Sequence, residues 1–310
     1  MKEGSKYLRF LVNGIIFLTI TFTLDQFTGN LLHHYYFTKT DGPYYQTTYS
    51  LDSTRAKIII LGSSRARHHY IDQMIEDSLK ASCYNTGNNG CLLFYNFGIF
   101  SSIIKRYTPK IILLDINQAD IYYSRSSYDQ IKLFYPYRGS RFDISELMQL
   151  NSKYEKCKFI SCIYSFNSTI FPPDNFPPNS KTVIFKSEIQ IPRGYTPIYG
   201  STGKLHLQTK NVYQGSIDSN KLKIINKICE ICEKKGIKLI LIQSPLYIKI
   251  MDNADAKIIQ EIAIRHNAKF WNYANNSTFI SNPSLFYDIR HLNNKGAELF
   301  TKDIIRRMKQ

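Results

Sequence analysis

The sequence predicts an α/β fold. A parallel sheet is covered by helices on both faces, a membrane-spanning helix precedes it, and an irregular insertion interrupts it. Three observations carry this. Short apolar runs, "KIIIL" at 57–61, "PKIILLDIN" at 109–117 and "IKLILIQ" at 237–243, alternate with longer amphipathic stretches. Polar, Gly- or Pro-bearing segments punctuate them, as expected for buried strands in a layered fold. Residues 8–24, "LRFLVNGIIFLTITFTL", are apolar enough to cross a bilayer, which takes about 17–25 residues.

The amino-terminal segment follows Lys2 and Lys6, includes Arg9 near its start, and ends before Asp25. Positive charge on that side predicts a cytoplasmic amino terminus, with the body of the chain outside the inner membrane. The first alanine is Ala56, so no small-residue cleavage site follows the apolar run and a retained single-pass anchor is expected. The expected organisation is an anchor over 1–28, a stem over 29–55 and one α/β domain over 56–310.

Within that domain the strand at 57–61 leads to a helix at 70–80, then a short strand at 82–85 and a helix at 92–107. The second long apolar strand follows. Residues 122–215 break the rhythm with many tyrosines and "FPPDNFPPNS", and only about 144–166 reads as helix. The alternation resumes with a helix at 218–235, the strand at 237–243, a helix at 254–266 and a strand at 268–273. A last helix begins just after His291.

The net charge of +16 is spread over scattered Lys and Arg with no run of five, and no nucleic-acid-binding motif is legible. The expected partners are therefore a membrane and an anionic envelope surface, not nucleic acid. Cys229 and Cys232 form C-x-x-C without a second pair or nearby histidines. They read as core thiols on one helix face, and no metal or cofactor is expected.

Three segments at the carboxyl ends of strands, or in the loops that follow, carry the chemistry. They are "LGSSR" at 61–65, "NTGNNG" at 85–90 and "DIRH" at 288–291. Working residues of open α/β sheets collect there. A serine nucleophile needs a base, and the base needs an orienting carboxylate. Asp288 and His291, three apart at a helix entrance, suit those two roles. Glycine in the second loop allows a backbone amide to approach a developing oxyanion. Arg65 and Arg67 flank the serine and are candidates for binding an anionic substrate, with Arg65 the first choice. His68 and His69 read as surface residues, and Ser244 as a capping serine before Pro245.

In that order the blocks resemble the SGNH hydrolase superfamily, the GDSL-like esterases. Its Gly-Asp-Ser block matches Gly62-Ser63-Ser64, with Ser64 in the nucleophile place. Its Asn-and-Gly block matches Asn85 and Gly90, and its Asp-x-x-His block matches Asp288 and His291. The resemblance covers roughly 56–120 and 217–309, and implies a three-layer flavodoxin-like fold with a Ser64–His291–Asp288 triad. It also implies an oxyanion hole from the Ser64 and Gly90 amides. The family's Gly-x-Asn-Asp block is altered: with Asp120 on its Asp, Ala119 stands in the Asn place, and Asn117 is the nearest replacement donor. The expected activity is that of an esterase or acyltransferase on O-acyl groups, O-acetyl above all, of an envelope glycan. The alternative is an inactive, membrane-tethered glycan-binding or assembly protein.

Overall fold

The structure is a computed structural model of the 310-residue chain. It describes residues 2–38, 40, 42–138, 145–152, 154–166, 194–210, 215–251 and 253–310. The proline-rich segment of the insertion lies outside the described residues.

The central sheet has five parallel strands: β1 (Ile58–Leu61), β2 (Cys83–Asn85), β3 (Ile111–Asp115), β5 (Lys238–Gln243) and β7 (Lys269–Asn272). Their order is β2-β1-β3-β5-β7. This is the flavodoxin-like pattern, in which the chain reverses direction across the sheet between β1 and β3. Between them β4 (Gln208–Lys210) and β6 (Ile248–Ile250) form a separate two-stranded parallel sheet that the sequence did not predict.

The strands alternate their side chains between two cores, as a pleat requires. Ile59, Leu61, Ile112, Leu114, Leu239 and Leu241 face one core. Ile58, Ile60, Leu113, Ile240 and Ile242 face the other. The first core is covered by α5 (Leu93–Arg106), α6 (Ser219–Lys234) and α7 (Ala254–Arg265). The second is covered by α4 (Asp72–Leu79) and α8 (Asn294–Lys309), through Ile75, Phe300 and Ile304. Burial on both faces explains why these strands are continuously apolar rather than alternating. Cys229 and Cys232 sit on the buried stripe of α6 as core thiols.

Three expectations need correction. The apolar amino-terminal segment belongs to one long helix, α1 (Lys2–Phe37), which runs well beyond residue 24. Its stretch over Gly4–Phe37 is long and apolar enough to cross a membrane, and none of its most apolar part is buried by the protein. The carboxyl-terminal part instead docks on the domain: Asp25 accepts from Ser161 Oγ at 2.6 Å, and Tyr36 packs against Tyr137 and Phe166. The supposed stem likewise contains α2 (Gly42–Asp52), whose Leu51 is buried in the first core. Thr47 and Ser50 are also buried there, with Thr47 Oγ1 2.7 Å from Tyr95 Oη and the Ser50 hydroxyl donating to the Gln46 carbonyl. A polar, aromatic segment reads as linker until tertiary contacts satisfy its hydroxyls. The helix expected at 144–166 is broken into Ser145–Asn151, Glu155–Lys158 and a 3₁₀ turn at Ile163–Phe166.

Candidate active site

Strand β1 ends at Leu61, and the chain turns through Gly62 and Ser63 into the short helix α3 (Ser64–His69). The turn leaves no room for a side chain at Gly62: a Cβ there would lie 2.6 Å from Ala66 Cβ and 2.9 Å from Asp115 Cβ. The Gly62 amide donates to Asn96 Oδ1 of α5 at 3.1 Å, which fixes the turn to the helix behind it. Ser64 is thereby set at the first position of α3, at the carboxyl edge of the sheet.

The candidate base arrives from the other end of the chain. Asn293 caps α8, accepting from the Gly296 amide at 3.1 Å, and the loop before it carries Asp288 and His291. Ser64 Oγ lies 2.8 Å from His291 Nε2. His291 Nδ1 lies 2.9 and 3.0 Å from the two Asp288 oxygens. A carboxylate on Nδ1 fixes the proton there and leaves Nε2 as the acceptor for the serine hydroxyl. Burial tends to raise the Asp288 carboxyl, but the His291 ring and the Arg290 and His291 amides outweigh it and hold it below the usual carboxylate range.

The glycine loop lies directly on α3. Asn85 Nδ2 donates to the carbonyls of Ala66 and Tyr70 at 2.7 and 3.0 Å, while its Oδ1 accepts from the Gly87 amide at 2.9 Å. Asn85 thus holds the loop rather than facing Ser64. Gly90 has φ +73°, a left-handed conformation that favours glycine. Among the described residues no backbone acceptor takes the amides of Ser64 or Gly90. An oxyanion requires such uncommitted donors within reach of the serine.

The altered third block has a local structural job. Asn117 caps a 3₁₀ turn, its Oδ1 accepting from the Ala119 amide at 2.8 Å. Asp120 accepts from the Asn117 amide at 2.9 Å and from the Leu93 amide, at the start of α5, at 2.7 Å. Burial raises the Asp120 carboxyl to about 6, against the pull of those amides and Lys221. The Asn117 carbonyl oxygen is thus committed to its own turn.

Arg65 is placed differently from its expected role. It is buried, and its Nη2 meets Asp115 Oδ1 at 3.1 Å and the Ile116 carbonyl at 3.2 Å. Its Nη1 donates to the Ser244 carbonyl at 3.4 Å, so Ser244 contributes backbone here. Asp115, at the end of β3, also accepts from Tyr70 Oη at 2.7 Å. Arg65 therefore ties β3 and β5 together beneath the site, with its charge already matched.

The two histidines are not at the surface. His68 and His69 are 8% and 0% exposed, and both rings pack edge-on toward His291, with centroids 5.9 and 6.4 Å away. His69 Nε2 accepts the Leu292 amide at 3.0 Å, pinning the loop that carries His291. His68 Nδ1 donates to the Thr196 carbonyl at 2.6 Å, and its Nε2 lies 3.0 Å from the Asn89 side-chain amide. Burial lowers the His68 pKa to about 4, and that of His69 well below its usual value. Both are neutral near pH 7 and add no charge against an imidazolium at His291.

Thr196 belongs to the end of the insertion, which runs along the site as a strap. The Thr196 amide donates to the Arg67 carbonyl at 3.0 Å, the Asn294 amide to Ile198 at 2.7 Å, and the Thr202 amide to Tyr287 at 2.8 Å. The strap therefore touches both the helix that carries Ser64 and the segment around His291. Its composition carries no signal for this.

No family model matches the chain, and no curated protein matches it. Six solved chains do. One, a candidate acylhydrolase from Bacteroides fragilis, is 12% identical over 88% of this chain and 100% of its own, with a TM-score of 0.42. Another, described as a gut microbial diltiazem-metabolizing enzyme, is 12% identical over 80% of this chain and 46% of its own, with a TM-score of 0.37. At that distance the functional reading rests on the site itself.

Proposed function

We propose that the protein is a membrane-tethered serine esterase or acyltransferase of the SGNH type, acting on O-acyl groups of a cell-envelope glycan. The observation that carries the reading is the 2.8 Å approach of Ser64 Oγ to His291 Nε2, with Asp288 on the far side of the ring. Ser64 Oγ attacks the acyl carbonyl as its proton passes to Nε2, and the Ser64 and Gly90 amides receive the oxyanion. The ester C–O bond then breaks and the leaving alkoxide takes the proton from His291. Water or an acceptor hydroxyl repeats the cycle to release the acyl group. The apolar length of α1 and its positive flank support a single-pass anchor in the inner membrane with this site outside.

Labelling of the full chain by a fluorophosphonate probe tests the nucleophile. Labelling that disappears in Ser64→Ala, together with Ser64-dependent release of acetate from O-acetylated glycan, is the expected result. The competing reading, an inactive glycan-binding or assembly protein, draws on the absence of an Asn at Ala119. It predicts no labelling at Ser64 and no turnover of any acyl ester.

A further inference from the structure

The strongest unused group beside the site is Arg67, one helical turn beyond Ser64 on α3. Residues three apart on a helix share a face. Arg67 is partly buried against the glycine loop, where a Cβ on Gly87 would lie 2.5 Å from the Arg67 amide nitrogen. Among the described residues its guanidinium meets only neutral acceptors. Nη1 donates to Gln46 Oε1 of α2 and lies 3.5 Å from Asn88 Oδ1, and Nε donates to Thr196 Oγ1 at 3.1 Å. Its titratable neighbours are Tyr84, Tyr95 and Cys91, raised by burial, and His68, lowered by burial, and all are neutral near pH 7. Among the described residues no carboxylate pairs with it, and no hydrogen bond engages Nη2.

Two residues away, the more deeply buried guanidinium of Arg65 is matched by Asp115 at 3.1 Å. Holding a second cation in a partly desolvated place without a counter-charge is costly unless an anion comes to it. The three neutral ties from α2, the glycine loop and the strap orient the guanidinium plane, as a fork that reads a carboxylate or phosphate must be oriented.

We infer that Arg67 forms an anion subsite next to Ser64, and that the protein prefers acyl esters carrying a carboxylate or phosphate near the ester bond. The inference rests on the hydrolase reading for its meaning, but its test does not require turnover. The full chain carrying Ser64→Ala, in a neutral detergent, is titrated by calorimetry with 4-acetoxybenzoate, 4-acetoxyphenyl phosphate and methyl 4-acetoxybenzoate. The two anionic esters are expected to bind about tenfold or more tightly than the neutral one, a hydrogen-bonded charge being worth at least that much. The anion that binds more tightly identifies which of the two chemistries the subsite takes. Adding Arg67→Gln brings the ratio close to one, and Arg67→Lys, which keeps the charge without the fork, leaves an intermediate ratio. Equal binding of all three by the parent, or an undiminished preference in folded Arg67→Gln, overturns the subsite. If Arg67→Gln does not fold, a full preference retained by Arg67→Lys overturns fork recognition. Anion preference without any Ser64-dependent hydrolysis in the unmodified chain would sink the hydrolase reading and leave the subsite standing. Hydrolysis without the preference would do the reverse.

Discussion

Ser64 and His291 are 227 positions apart in the chain, yet their Oγ and Nε2 atoms stand 2.8 Å from one another. The relationship depends on two separate anchors. Gly62 and Asn96 fix the serine, and His69 fixes the histidine's loop through the Leu292 amide.

If that pair is catalytic, Asp288→Asn and His291→Gln each lower kcat by about 10³–10⁴-fold on a soluble aryl acetate. The far-ultraviolet circular dichroism of the full chain stays unchanged. A loss smaller than tenfold in both would place the chemistry elsewhere.

Gly90→Ala tests the proposed oxyanion role of the Gly90 amide. The left-handed φ of +73° is strained for alanine by about 1–2 kcal/mol, and the amide shifts as the loop relaxes. We expect a fall of about 10²–10³ in kcat with little change in KM, measured by steady-state kinetics. Asn117→Ala should cost a similar factor only if its side-chain amide also reaches the oxyanion.

Arg65→Ala is predicted to act on stability, not recognition. It leaves Asp115 buried without its partner, a loss of about 3–5 kcal/mol for a broken buried pair. The measurement is the urea midpoint of the full chain in detergent. An unchanged midpoint with a raised KM would return Arg65 to the substrate.

Acid should loosen the site through His68. Its folded-state pKa of about 4 lies below the usual 6.5, so between those values the unfolded chain binds the proton first. Stability is full above pH 6.5 and declines as the pH falls toward 4, by at most about 1.4 kcal/mol per unit. Thermal midpoints measured from pH 7 to pH 4.5 should fall less steeply in His68→Gln than in the parent. Parallel slopes would show that His68 does not carry the effect.

Cys157 is exposed, whereas Cys83, Cys91, Cys229 and Cys232 are buried. With the domain outside the membrane, an impermeant maleimide added to intact cells expressing the chain labels it, and Cys157→Ser greatly reduces that labelling. Labelling only after lysis would reverse the orientation.

Much of this was legible in the sequence, because it rests on local patterns. Strands buried on both faces announce themselves as apolar runs, and the blocks holding Ser64, Gly90 and Asp288–His291 are short and ordered. What was not legible depends on long-range partners. Whether Arg65 or Arg67 has its charge matched is decided by Asp115, fifty positions on from Arg65. His68 and His69 look exposed because histidine pairs are polar, yet the strap and the loop carrying His291 bury them. The residues of α2 look like linker until Tyr95 and the first core are in place beside them. The strap itself is a proline- and tyrosine-flavoured tail with no period to read.

The docking of α1 bears on reach. Residues 25–37 are helical and continuous with the apolar stretch, about 20 Å of rod at 1.5 Å per residue. Asp25 is clamped at its near end by Ser161 and Cys162. A domain mounted on such a rod has no flexible leash. With the apolar part in a bilayer, Ser64 would ride at one height and one tilt above it. Substrates would be sorted by how far they stand from the lipid as well as by their chemistry, and one held at the wrong distance would go unread.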